Sequence, residues 1–378
     1  MPVAAVLCML GSSPASAQPA LQLTPSFNIV QSYDSNLFFA AVDQQRDYVT
    51  RMTPGLDVRY QSPLFSMTSR YAFDFERFTE HPALTAVDAQ HASAGFRVKP
   101  ARRFEFGADA AFARTQTPSA LGPTAELILT RAPATSLLVH PSAVQHLDAN
   151  TEAAVDGSFA REHLFGGARF RTETAAARLE RRASARQTIG VTYSVRRFDF
   201  EPASATTAVD AVAGSTSHAL NVALTRNLTR ETSLTLQGGP RVTDGRLGPE
   251  LAAFLHTVLR NADFSLAYSQ TQTALLGVVG IVDTRSVTAS AIWKPSRLLQ
   301  IRTAPSVFRF SGGTVAANAY RIGLDASQSI TGTVSIVAAY DQTLQQGRLY
   351  SATAASFGSL SRRTISIGLT RVAATPAR

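Results

Sequence analysis

Residues Phe65 to Phe75 read FSMTSRYAFDF. One parity carries Phe65, Met67, Ser69, Tyr71, Phe73 and Phe75; the other carries Ser66, Thr68, Arg70, Ala72 and Asp74. Successive side chains of a β-strand point to opposite faces, so this segment as a strand offers one face to lipid and one to water. The alternation returns at Phe104 to Phe112, Ile189 to Val195, Leu220 to Leu224, Phe264 to Tyr268, Val287 to Trp293, Ile322 to Leu324, Val334 to Tyr340 and Ile365 to Leu369. A membrane-crossing strand needs about 9–11 residues of such a pattern. No continuous apolar stretch has the length of a spanning helix. The expected fold is all-β, a closed antiparallel transmembrane β-barrel of about 18 strands, with about 16 as the alternative. Closure follows from energetics, because an open edge in lipid leaves unpaired backbone groups at several kcal/mol each.

The composition agrees. The chain has 378 residues, 45% of them apolar, and a formal charge of +9. Lipid-facing and water-facing residues cancel in a barrel, which accounts for the middling apolar content. Lys99 and Lys294 are the only lysines, so arginine carries the basic excess. Val3 to Leu10 is a short apolar core, followed by Ala15-Ser16-Ala17, an A-x-A cleavage pattern. The expectation is a signal peptide over residues 1–17 and one barrel over 18–378. A basic leader segment is missing, which points to a true start upstream. Cys8 is the only cysteine and lies in this leader, so the mature chain is expected to lack thiols and to suit an oxidising periplasm.

Short polar turns punctuate the strands: Gln61-Ser62-Pro63, Lys99 to Arg102, Arg182 to Ala185, Arg226 to Thr229, Arg260 to Ala262, Lys294 to Arg297 and Gln328 to Thr331, with Arg161-Glu162-His163 as a weaker one. Between them lie longer segments at 37–46, 79–88, 116–149, 200–216, 242–248, 272–281, 311–317 and 343–361. Short turns alternating with long loops is the asymmetry of outer-membrane barrels, with both termini in the periplasm.

If Phe65 and Tyr71 face lipid, the opposite parity lines the lumen. That set contains Arg70, Arg97, Arg169, Arg171, Arg178, Arg196, Arg302 and Arg321, together with Asp74, Glu76 and Asp325. An arginine at the bilayer midplane costs about 2–4 kcal/mol, which drives it inward. Such residues either pair across strands and merely wet the interior, or leave a basic excess that attracts anions. The 116–149 segment, the longest loop, is expected either to narrow the channel, with Arg131, His140 and His146 near the path, or to stay outside it. Tyr33, Phe38, Phe39, Phe78, Trp293, Phe308, Tyr320 and Tyr340 are candidates for interfacial aromatic girdles.

The chemistry of catalysis has little support. The seven histidines are scattered without an H-E-x-x-H pattern, and Gly238-Gly239 and Gly312-Gly313 read as strand-end glycines rather than a phosphate loop. No enzyme, cofactor or metal is expected, and export argues against nucleic acid as a partner.

The opening segment from Leu21 contains Tyr33-Asp34-Ser35-Asn36-Leu37-Phe38. This resembles the start of outer-membrane barrels associated with exopolysaccharide gene clusters, the β-barrel porin type 2 family. Turns such as Arg226 to Arg230 are similar to that family's repeated units. The chain departs from the commoner outer-membrane pattern in lacking a terminal aromatic after Ile365 to Val372. The resemblance implies an exit channel for exopolysaccharide, with outer-membrane lipid, an acidic polysaccharide and a periplasmic export lipoprotein as partners, and no catalytic residues. Two other readings stay open: a general diffusion porin with anion preference, and a structural or adhesive barrel with a plugged lumen.

Overall fold

The computed structural model describes residues 20–40, 42–116, 132–165, 169–201, 214–276, 278, 280–312, 315–348 and 359–372. Its strands are β1 (Ala20–Asp34), β2 (Asp47–Gln61), β3 (Phe65–Phe78), β4 (Ala86–Ala101), β5 (Phe104–Thr115), β6 (Ala134–His146), β7 (Thr151–Leu164), β8 (Arg169–Ser184), β9 (Gln187–Glu201) and β10 (Ser215–Asn227). They continue as β11 (Thr232–Thr243), β12 (Arg246–Leu259), β13 (Ala262–Ala274), β14 (Ile281–Trp293), β15 (Leu299–Thr303), β16 (Ser306–Gly312), β17 (Val315–Ser329), β18 (Val334–Arg348) and β19 (Ser359–Val372). A single 3-10 turn, Pro82–Leu84, lies between β3 and β4.

Each strand pairs antiparallel with its sequence neighbours, and β1 pairs with β19 from Ser26↔Val372 to Asp34↔Thr364. The sheet therefore closes. β15 and β16 form one position in the wall. Both hold a single register against β14, from Ala291↔Thr303 to Asp283↔Ser311, and are parted only at Ala304 and Pro305. Proline has no N–H to give the ladder. The described segments thus form a closed antiparallel barrel of 18 strand positions.

The two faces separate as the alternation requires. On β3, Tyr71 and Phe73 are exposed on the outside while Ala72, Asp74, Glu76 and Phe78 are buried. Leu179 on β8, Ile189, Val191 and Tyr193 on β9, and Ile365, Ile367 and Leu369 on β19 continue the apolar outer band. Each strand position pairs with a neighbour on both sides over most of its length, which is the condition lipid imposes.

The seven short turns expected from Gln61-Ser62-Pro63 to Gln328–Thr331 all lie at one end of the barrel, as do the ends of β1 and β19 marked by Ala20 and Val372. Two expectations about connections change. The Arg161-Glu162-His163 turn is strand, inside β7. The missing short turn is at residues 147–150, where Leu147 and Asp148 both donate backbone N–H groups to the Thr151 carbonyl. The 242–248 segment is a tight hairpin rather than a long loop: Asp244 (φ 48°) and Gly245 (φ 77°) both have positive φ, the backbone of a type I′ turn.

Candidate functional site

The bore of the barrel is the site, and charges on the inward face of β2 to β5 start it. Arg51 lies opposite Glu76 in register and bonds it at 2.5 Å. Asp74 accepts from Thr53 at 2.6 Å and sits 3.3 Å from His91 and 4.0 Å from Arg51. Arg70 faces Asp57 at 3.7 Å, and Arg97 bonds Asp109 at 2.7 Å. Around the wall, Arg178 meets Glu180 at 3.4 Å, and Arg321 donates to Asp341 at 2.6 Å. Arg302 stands directly opposite Asp325. Arg196 crosses from β9 to Glu250 on β12 at 2.5 Å and to the Thr271 hydroxyl on β13 at 3.0 Å.

Six of the eight arginines expected in the lumen therefore lie on the inward face, each beside a carboxylate. The other two, Arg169 and Arg171, do not. Phe170 between them is 6% exposed and takes the inward place, packed with Ala134 and Leu164. Arg171 points outward, bonding Glu173 at 2.8 Å and standing 5.8 Å over the Phe159 ring. Both arginines lie near a strand end, where an outward charge costs only about 0–1 kcal/mol. The parity of β8 is set there by Phe170, not by the charges.

The basic excess gathers elsewhere. Arg102, Arg103, Arg186, Arg226, Arg230, Arg260, Lys294 and Arg297 are exposed around the short-turn end. Arg161, Arg169, Arg171, Arg197, Arg285 and Arg309 lie on the outer face near the other end.

The 116–149 loop gives way to a strand: β6 begins at Ala134, so His140 and His146 are part of the wall. His140 stands opposite Asp109, and His146 is 3.3 Å from Glu152 near the short-turn end. Pro133 and Pro141 invite a loop reading, but Pro141 pairs with Ala108 on β5 and β6 runs through it. Arg131 lies outside the described residues. Three girdle aromatics also move inward: Phe39, Phe78 and Phe308 are buried.

The narrowing element is a different one. β12 stops pairing with β13 at Leu251↔Gln270, whereas β13 and β14 stay paired to Ala274↔Ile281. Beyond that level the β13–β14 hairpin leans into the bore. Gln272 and Asp283, on the parity that faces lipid lower down, meet the inward face of β11. The Thr243 hydroxyl donates to Gln272 at 2.6 Å, and Arg241 donates to Asp283 at 2.8 Å. The connection after Ala274 then crosses the mouth. Leu275 and Val278 pack on Phe308 and Phe310 of β16 and on Val315 of β17. Leu276 reaches Ala134, Leu164 and Phe170 on β6 to β8. An apolar strap thus joins two distant parts of the wall. Its sequence signal was present: Leu275 and Leu276 begin an apolar loop at an end that water should reach.

Closed in lipid, polar within and apolar without, the wall meets every requirement of a spanning β-structure. The chain folds as a closed β-barrel of the membrane-spanning type. No family model matches it, and no curated protein matches it. Among solved structures it is similar in fold to OpdL of Pseudomonas aeruginosa, at 10% identity over 93% of this chain and 98% of that one, with a TM-score of 0.49. It is similar also to OpdQ of the same organism, at 8% identity over 93% and 97%, TM-score 0.47. The siderophore receptor PirA of Pseudomonas aeruginosa aligns at 7% identity over 94% of this chain and 81% of its own, TM-score 0.47.

The rim over β1 to β4 is built by a buried carboxylate and a buried amide. Asp47 is fully buried and accepts backbone N–H groups from Thr79 at 3.0 Å, Glu80 at 2.9 Å and His81 at 3.0 Å, which fixes the β3–β4 connection. Asn36, 1% exposed, donates to the Ala40 and Ser361 carbonyls at 2.9 and 3.0 Å. The Tyr33 to Phe38 opening therefore has a mechanical role at the rim.

Proposed function

We propose that this barrel is an outer-membrane conduit for a hydroxyl-rich cargo, an exopolysaccharide strand, with its long-loop end outside the cell and both termini in the periplasm. The observation that carries the reading is a series of hydroxyl pairs on the inward face. Ser265 pairs with Ser290 at 2.8 Å, Ser269 with Ser286 at 2.7 Å, and Thr273 with Thr284 at 2.8 Å, all between β13 and β14. Thr225–Thr235 at 3.0 Å extends them to β10 and β11. Hydroxyls donate and accept, so a sugar can exchange one partner for the next without leaving a buried group unpaired. The resemblance of the Tyr33 to Phe38 opening to exopolysaccharide-associated barrels supports the same cargo. Basic side chains around the short-turn end suit an acidic face on a periplasmic export lipoprotein.

The lumen arginines act here as partners of carboxylates, so the cargo need not be acidic. The reading is tested by deleting the gene. A loss of surface polysaccharide with unchanged uptake of small nutrients supports it. Normal polysaccharide with impaired uptake would replace it with the diffusion-porin reading.

A further inference from the structure

The outer wall carries a feature that the conduit does not use. On the lipid-facing parity of β14 and β16, Arg285 and Arg309 stand directly opposite each other, both exposed. Among the described residues neither has an ion-pair partner. Like charges in facing strand positions destabilise a sheet, and these two lie toward the long-loop end, some residues into their strands. Such a pair is stable where an anion sits between the guanidinium groups, and guanidinium matches phosphate in a bidentate way.

A second, independent observation lies directly beneath. The strand break at Ala304 and Pro305 opens a groove of about 340 Å³ in the same outer face, lined by Val287, Ala289, Pro305, Val307, Tyr320 and Ile322. Ser306, Arg321 and Gln342 also contribute to its lining, but its surface is mostly apolar, and Val307, Tyr320 and Ile322 are themselves exposed on the outer wall. One register step separates Val287 and Val307 from Arg285 and Arg309. Charge above and an apolar trough below match a lipid whose phosphate sits at its headgroup and whose acyl chain runs down the wall.

We propose that Arg285 and Arg309, with the Pro305 groove, form a specific site for a phosphorylated glycolipid of the outer leaflet, of the lipid A class. The guanidinium pair holds a phosphate and the groove holds one acyl chain. The choice of leaflet rests on the orientation proposed above.

The test is retention of lipid by the detergent-purified, full-length barrel, measured by native mass spectrometry with added lipid A. Wild type should keep one lipid A per chain. R285Q/R309Q should retain at least tenfold less, and A289F, which fills the groove but spares both arginines, should also lose retention. The heat-shifted gel mobility of folded barrels confirms that each variant is folded. Dephosphorylated lipid A should bind poorly, and inorganic phosphate should not compete. Equal retention by R285Q/R309Q would overturn the site. Displacement by millimolar inorganic phosphate would reduce it to a simple anion site. Phosphatidylglycerol binding with lipid A excluded would overturn the leaflet without touching the conduit reading, which the gene deletion tests separately.

Discussion

Arg362 on β19 grips Asp34 on β1 across the seam that closes the barrel. Its Nη2 donates to the Asp34 carboxylate at 2.6 Å and its Nε at 3.1 Å, and Asp34 is only 3% exposed. The guanidinium also lies 4.6 Å over the Phe39 ring. Along the rest of this seam backbone pairing is joined by hydrogen bonds from Thr370 to Asn28, from the Arg363 N–H to the Ser35 hydroxyl and from Asn36 to the Ser361 carbonyl. Removing one partner strands the other charge in a buried place, which costs on the order of 3 kcal/mol. R362L should therefore unfold at a lower temperature in a heat-shift gel assay, and D34N/R362Q should recover part of the loss. A cycle with no coupling would show that the pair does not hold the seam.

The strap predicts a conductance change. Leu276 is 2% exposed in its cluster with Ala134, Leu164 and Phe170. L276D places a charge there that the cluster cannot solvate, so the strap should leave the far wall. Planar-bilayer recordings should show larger single-channel steps for L276D than for wild type. Equal steps would mean that the strap does not limit the path.

Ion selectivity has a definite sign. Arg70, Arg196 and Arg321 lie beside Asp57, Glu250 and Asp341. Wild type should show weak selectivity, because the pairs cancel. Replacing the three arginines by Gln leaves three carboxylates uncompensated in the bore, so reversal potentials should move toward cation preference. No shift would mean that these pairs lie off the conduction path.

One glycine is sterically required. A Cβ at Gly239 would run into the Leu220 backbone carbonyl on the neighbouring β10. G239A should assemble poorly, read as a loss of the heat-shifted band. G245A tests backbone strain instead, since Gly245 has φ 77° with open space around it, and it should cost about 1 kcal/mol.

The wall was legible because its signal is repeated: each strand from Phe65 onward states the same period, and lipid penalises any departure. Arg70, Arg97, Arg178, Arg196, Arg302 and Arg321 followed that period inward. Arg169 and Arg171 did not, since near a strand end the penalty vanishes and Phe170 decides the parity. The strand Ala134–His146 was hidden by Pro133 and Pro141, which read as breakers although a lone Pro141 costs this wall one ladder bond. Which arginines meet which acids depends on register across neighbouring strands, as with Arg70 and Asp57. The reach of Arg196 to Thr271 depends on the inward lean of a hairpin. Neither is written in any single segment.

Side-chain accessibility along β3 measures the two-sided wall most directly. In a C8S background, single cysteines at 68, 69, 70 and 71 are read in reconstituted vesicles with a membrane-impermeant thiol reagent. Positions 68 and 70, exposed on the inward face, should react while 69 and 71 stay protected within the bilayer. Uniform reactivity along the four positions, or a protein that stays in solution without detergent, would contradict a lipid-embedded barrel.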